Sequence, residues 1–174
     1  MVGRVGLCGP SYSVLQIVVE PSKPRMCHDK RYLNLRIRDF PFTLDTLKEV
    51  PRLVSEDSFM ASLDDKSGYD HTLLHPDSRC YFGLQYGGWY LMFNTIPFGF
   101  KASAYIYNTT GYVPVSYCRN LGVPMLLYID DRFIGEWQST PCGQVGGYKN
   151  ATLRSLYIVC QVLISLDYYL NLDK

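Results

Sequence analysis

No two cysteines in this chain form a C-x-x-C pair, and the six present (Cys8, Cys27, Cys80, Cys118, Cys142, Cys160) are scattered. That excludes a zinc framework and the dense disulfide pattern of a small secreted scaffold, and reads as free thiols in a reducing compartment. Long apolar runs are missing too. No stretch approaches the length of a bilayer span, and Gly6, Gly9, Pro10 and Ser11 interrupt any signal-peptide core. The expectation is a soluble, intracellular protein with no membrane partner. Internal repeats and low-complexity segments are absent as well. Charge is scarce, at 19% of residues with a net value of +1, so the global balance gives no sign of a nucleic-acid partner. In place of charge the chain carries 47% hydrophobic residues, 15 Tyr and 8 Phe, enough over 174 residues for one well-buried core and unlike a disordered segment.

The charge that exists is unevenly placed. Lys23, Arg25, Lys30, Arg31, Arg36 and Arg38 face a single acid, Asp29, between positions 23 and 38. This local balance of +5 leaves the rest of the chain acidic. Such a stretch is either a phosphate-handling face or an ordinary solvated loop.

Residue patterns place the elements coarsely. Gln16–Glu20 is a β-branched run read as a strand, punctuated by Pro21 and Pro24. Thr43 is placed to cap a short helix over Leu44–Val50 that Pro51 would end. Ser58–Asp64 alternates, which reads as a strand delivering Asp64 at its end. Tyr81–Tyr86, Gly87-Gly88 and Trp89–Thr95 give a hairpin signal. Ala102–Asn120 has helical spacing interrupted by Gly111 and Pro114, so a kinked or broken helix is expected. Met125–Tyr128 and Arg132–Gly135 form a second hairpin with Asp130 and Asp131 at its tip, and residues 137–147 read as loop. Leu153, Leu156, Tyr157, Cys160, Leu163 and Ile164 define the apolar face of a helix running to about Leu166. Interleaved strands and helices with hairpins make the class α+β, with a mainly antiparallel sheet.

Asp130-Asp131, within Tyr128-Ile129-Asp130-Asp131, is the most informative feature. Adjacent acids between strand residues repel each other and disfavour β-structure, an objection that a hard divalent cation removes. In two-metal phosphoryl transfer a third carboxylate from another strand completes the site, and Asp64 is placed to supply it. Taken alone, the tetrapeptide reads equally as an exposed Asp-Asp turn. His71 and His75, four residues apart, have the spacing of a helical metal pair, but no Glu and no third ligand accompany them. A surface pair is the better reading.

Four stretches in order give the tetrapeptide a context. They are Lys23–Asn34, with its Arg31-Tyr32-Leu33-Asn34 ending; Leu63-Asp64-Asp65-Lys66-Ser67-Gly68-Tyr69; Ile96-Pro97-Phe98-Gly99-Phe100-Lys101-Ala102-Ser103-Ala104; and Tyr128–Asp131 followed by Phe133-Ile134-Gly135. Together they resemble the reverse transcriptases of retrotransposons, nearest to the gypsy-like and DIRS-like groups, from about Val18 to the C-terminus. The resemblance implies a right-hand polymerase palm, its antiparallel sheet flanked by helices, with part of the fingers, over residues 16–174. Residues 1–15 remain unassigned, and the thumb, RNase H and later regions are expected to lie outside these residues.

The resemblance also implies roles. Asp64, Asp130 and Asp131 match the catalytic carboxylates that hold two Mg²⁺ ions, with Mn²⁺ as a substitute. Arg25 matches a fingers arginine that clamps the triphosphate, and Lys23 is a weaker match beside it. Tyr69 matches the bulky residue under the incoming sugar, although by itself it reads as a packed core tyrosine. Phe98 and Gly99, in Pro97-Phe98-Gly99, match the floor of the nucleotide pocket. Lys174, in Leu170–Lys174, matches a lysine that protonates the leaving pyrophosphate, and reads equally as a solvated side chain. The implied activity is RNA-directed DNA polymerisation, with dNTP and a primed RNA or DNA template as partners. The rival reading is a degenerate or domesticated remnant that binds nucleic acid weakly without catalysis. Two features depart from the family pattern: Asp65 stands where many relatives carry an apolar residue, and Gly111 and Pro114 interrupt a helix.

Overall fold

The computed structural model describes residues 2–4, 15–19, 24–54, 58–86, 88–136 and 148–171. The chain divides into two compact units. One joins Met1–Pro41 to Gly68–Ile106, and the other joins Phe42–Ser67 to Tyr107–Lys174. No helix among the described residues is long and apolar enough to cross a membrane.

In the first unit, β1 (Val2–Arg4), β5 (Gly83–Tyr86) and β6 (Trp89–Phe93) form an antiparallel sheet in the order β1-β6-β5. The expected hairpin is present: Tyr86 pairs with Trp89, and Gly88 in the turn has φ +79°. A separate ribbon pairs β2 (Leu15–Val19) with β3 (Pro24–His28), setting Arg25 opposite Val18. After it come a single helical turn, α1 (Arg31–Asn34), and further on two 3₁₀ segments, Gly68–His71 and Pro76–Phe82. His71 ends the first of these segments. His75 precedes the second, where its Nδ1 accepts from the Asp77 amide at 3.4 Å, so the two histidines share no helix.

The second unit is built on an antiparallel sheet of β4 (Ala61–Asp64), β7 (Met125–Tyr128) and β8 (Asp131–Ile134), in the order β4-β8-β7. Two 18-residue helices contribute to it, α3 (Ser103–Asn120, from Tyr107 onward) and α4 (Tyr148–Ser165). Val115 and Cys118 from α3, Val159 and Leu163 from α4, and Met125, Leu127 and Ile134 from the sheet make one buried cluster. Area removed from water by such side chains stabilises the fold by roughly 1.5–3 kcal/mol each.

Three expectations fail here in whole or in part, for identifiable reasons. The segment near Thr43 is a 3₁₀ turn, Leu47–Glu49, leading into α2 (Val50–Leu53), so Pro51 opens a helix rather than ending one. In a first turn the missing N–H has no partner to lose. Helix α3 runs unbroken through Gly111 and Pro114. Gly111 is where the helix lies against β7: a Cβ there would come within 3.0 Å of Leu127 Cδ2. Packing therefore overrides local propensity. In α4 the buried face is Thr152, Ser155, Val159 and Leu163, while Leu153, Tyr157 and Ile164 are exposed. The small polar Thr152 and Ser155 are buried beside Val159 and Leu163, and Thr152 Oγ1 donates to the Phe59 carbonyl, just before β4, at 2.9 Å.

Candidate active site

Strand register decides which acids meet. In the β4–β8 pairing Asp64 stands directly opposite Asp131, and Ser62 opposite Phe133. Residues opposite each other on an antiparallel pair point to the same face, so Asp64 and Asp131 share one. The β7–β8 hairpin closes with Tyr128 opposite Asp131, which leaves Ile129 and Asp130 as a two-residue loop. Two-residue hairpin loops need a positive φ at the first position. Ile129 supplies it at +59°, a strained conformation for a β-branched side chain. Asp130 is fixed from the other side, because its carbonyl accepts the Asp65 amide at 3.3 Å.

The electrostatics follow from this crowding. Burial, reinforced by the charges of Asp131, Asp64 and Asp65, raises the Asp130 carboxyl above the usual carboxylate range. Asp64 is steadied by the segment after α4: Asn171 donates its amide N–H to the Asp64 carbonyl at 2.8 Å and its side-chain Nδ2 to Asp64 Oδ2 at 3.2 Å. Among the described residues no three His, Cys, Asp or Glu side chains form a ready metal cage. The donor set still fits a hard divalent cation, since Mg²⁺ takes only one or two carboxylates and completes its shell with water and phosphate oxygens.

Asp65 does not join these acids. It is buried on the opposite face of β4, paired with the equally buried guanidinium of Arg132. Tyr107 donates its hydroxyl to Asp65 Oδ2, and Arg132 lies over the Tyr168 ring at 5.0 Å. Burial first, then the Asp65 charge, pushes the Tyr107 hydroxyl well up, so it stays a donor.

Within the first unit, Tyr69 packs its ring against Phe98 at 4.8 Å between centroids, tilted by 37°. The backbone brings their segments together: Leu74 donates to the Asn94 carbonyl at 2.7 Å and Ile96 to the Thr72 carbonyl at 3.1 Å. Phe98 is half exposed. Gly99 has φ +89°, a conformation that side chains other than glycine rarely adopt. The Pro97-Phe98-Gly99 turn is held at both ends. Ser103 Oγ donates to the Pro97 carbonyl at 2.8 Å. Asn34 Nδ2 donates to the Gly99 carbonyl at 2.9 Å, while Asn34 Oδ1 accepts the Lys101 amide at 2.9 Å. The final asparagine of the Arg31–Asn34 motif is thus a clamp on another motif 65 residues away, a role that its type did not reveal.

The basic segment is less uniformly exposed than its composition suggests. Lys30 is buried, donating to the Tyr81 carbonyl at 3.3 Å, with its ammonium 5.4 Å from the centre of the Phe82 ring. Arg31 is paired with Asp29 at 2.6 Å. Exposed Arg36 and Arg38 lie over the rings of Tyr32 and Phe40, at 4.0 and 5.0 Å. Arg25 is placed only by its strand, and Lys23, Lys174 and the 137–147 segment lie outside the described residues. Cys118 and Cys160 are free thiols, and Cys80 Sγ donates to the Asp77 carbonyl at 3.2 Å.

No family model matches the sequence, and no curated protein matches it. Solved structures do. A foamy viral protease–reverse transcriptase in complex with double-stranded DNA aligns with a TM-score of 0.78 and 15% identity, over 98% of this chain and 27% of that one. The native protease–reverse transcriptase of prototype foamy virus aligns with a TM-score of 0.73 and 18% identity, over 94% and 20%. The chain therefore spans about a quarter of the length of these structures. At such identities the likeness is one of fold, and the fold of this chain is reverse-transcriptase-like.

Proposed function

We propose that the chain is the fingers-and-palm portion of a retroelement RNA-directed DNA polymerase, of the gypsy-like or DIRS-like kind. The observation that carries this reading is the strand register that sets Asp64 opposite Asp131, one residue from Asp130, in a reverse-transcriptase-like fold. Asp64, Asp130 and Asp131 would hold a pair of Mg²⁺ ions, which when bound stabilise charge on the attacking and leaving oxygens of phosphoryl transfer. The chain's own residues supply geometry. The Ile129–Asp130 loop fixes where the Asp130 carboxylate can reach, and Asn171 orients Asp64. Arg25 is assigned to the triphosphate, for which a guanidinium offers bidentate bonds, with Lys23 beside it. The Tyr69 ring, braced by Phe98, excludes a ribose 2′-hydroxyl sterically. Gly99 lets the backbone approach the base pair closely, and Lys174 is assigned to the leaving pyrophosphate.

The rival reading, a non-catalytic remnant, drew support from the interruption at Pro114. Helix α3 runs on through Pro114, so that proline does not break the element. The test is incorporation of a single dNTP into a primed template by the purified chain at low salt with Mg²⁺. One-nucleotide extension is expected, falling on the order of 10²-fold or more in Asp130→Asn. Duplex binding without extension, or extension unchanged in Asp130→Asn, would sink the catalytic reading.

A further inference from the structure

Strand β4 ends at Asp64, a second aspartate, Asp65, follows at once, and only Asp64 pairs with Asp131. Side chains alternate along a strand, so Leu63 and Asp65 lie on one face and Ser62 and Asp64 on the other. A slip of one residue exchanges the two acids. Within the four residues of β4 only Ala61 and Leu63 pack against the core, so apolar burial opposes that slip with two side chains. Strand β8 is better fixed, since a two-residue loop sets its register against β7, with Leu127 opposite Arg132.

Arg132 is thereby committed to the interior. It is 1% exposed, lies across from Leu63, and its Nη1 donates to Asp65 Oδ1. Its Nε and Nη2 make no hydrogen bond among the described residues. Asp65 thus carries nearly all the compensation that a buried guanidinium requires, with Tyr107 holding the carboxylate's second oxygen and Tyr168 lying under the cation. Only the observed register offers Arg132 this partner without taking Asp64 away from Asp130 and Asp131.

We infer that the Arg132–Asp65 pair is the register key of β4: it selects Asp64, rather than its neighbour, to stand in the carboxylate cluster. Both residues are positioning residues that act through the strand and touch no substrate. The catalytic consequence rests on the function proposed above; the register itself does not.

The test compares wild type, Asp65→Leu and the double variant Asp65→Leu/Arg132→Leu, each as the full isotope-labelled chain. Register is read from nuclear Overhauser contacts between Ser62 and Phe133, and the site from Mn²⁺ affinity measured by electron paramagnetic resonance. In Asp65→Leu the cross-strand contacts should vanish or be joined by a second, slipped set. Mn²⁺ affinity should fall at least about tenfold, the low end for outer partners of metal ligands. The double variant, apolar at both core positions, should restore the single native register and bring Mn²⁺ affinity to within about twofold of wild type, because the buried charge is gone along with its partner. Should Asp65→Leu fail to fold, Asp65→Asn, which keeps volume and an acceptor for Tyr107, is read in the same way. Native contacts unchanged in the single variant, even with reduced urea stability, would reduce the pair to packing and overturn the inference, as would a double variant that restores neither reading. Wild type without carboxylate-dependent Mn²⁺ binding would sink the proposed function, and the contacts alone would then decide the register key.

Discussion

Replacing Lys30 with Met should stabilise the chain at neutral pH, although it removes a basic residue from a segment whose composition suggests phosphate binding. Burial lowers the Lys30 ammonium from 10.5 to about 8. At 1.36 kcal/mol per unit, holding that charge at pH 7 costs at most about 3 kcal/mol, and nearer 2 kcal/mol once solvent screening is counted. Losing the bond to the Tyr81 carbonyl and the contact with the Phe82 ring offsets about 1–2 kcal/mol, so a net gain of up to about 1 kcal/mol is expected. The pH dependence identifies the cause. Between about 8 and 10.5 the unfolded chain binds the proton that the folded chain has released, so wild-type stability rises with pH across that window. Below it both states are charged and the penalty is constant. Urea denaturation followed by circular dichroism from pH 7 to 10 should show the advantage of Lys30→Met largest at pH 7 and fading towards pH 10. An advantage independent of pH, or a less stable variant at pH 7, would refute the reasoning. Affinity for an RNA–DNA duplex should stay within about twofold of wild type, because a buried ammonium neutralises no phosphate.

Phosphate contacts from the same segment should come instead from Arg36 and Arg38. Arg36→Ala and Arg38→Ala should each reduce the slope of log affinity against log salt by about 0.9 on duplex, measured by fluorescence anisotropy. Tyr69→Ala should raise the ratio of ribonucleotide to deoxynucleotide incorporation by about tenfold or more in single-turnover extension; an unchanged ratio would leave Tyr69 a packing residue. Asp45→Ala should lower unfolding stability by about 2–3 kcal/mol, read from urea midpoints. The Asp45 carboxylate accepts from Arg119 at 2.7 Å, from the Leu127 amide at 2.9 Å and from the Tyr112 hydroxyl, so it covers the open edge of β7. A loss below about 0.5 kcal/mol would show that the edge needs no such cover.

The hairpins and the strand ending at Asp64 were legible because their signals are local: a two-glycine turn, alternation over a few residues, acids flanked by apolar runs. What the sequence hid depends on partners far along the chain. Lys30, Asp65 and Arg132 are charged residues that composition assigns to solvent. Asp65 and Arg132 are buried against each other 67 residues apart, and Lys30 against a carbonyl 51 residues away. Asn34 reads as the end of a motif until the Gly99 carbonyl is seen beside it. Gly111 and Pro114 argue against a helix by propensity, yet Leu127 fills the space the glycine leaves. On α4 the apolar periodicity selected the exposed Leu153, Tyr157 and Ile164, because amphipathic pattern carries no record of which face a sheet will cover.

The central claim is that Asp64, Asp130 and Asp131 act together as one divalent-cation site, and Mn²⁺-induced broadening of backbone amide signals tests it most directly. As Mn²⁺ is titrated into the labelled chain, the amides of residues 63–65 and 129–132 should broaden before all others, and Asp64→Asn, Asp130→Asn and Asp131→Asn should each weaken that response. Broadening centred elsewhere, or a response at these amides that survives all three substitutions, would contradict the account.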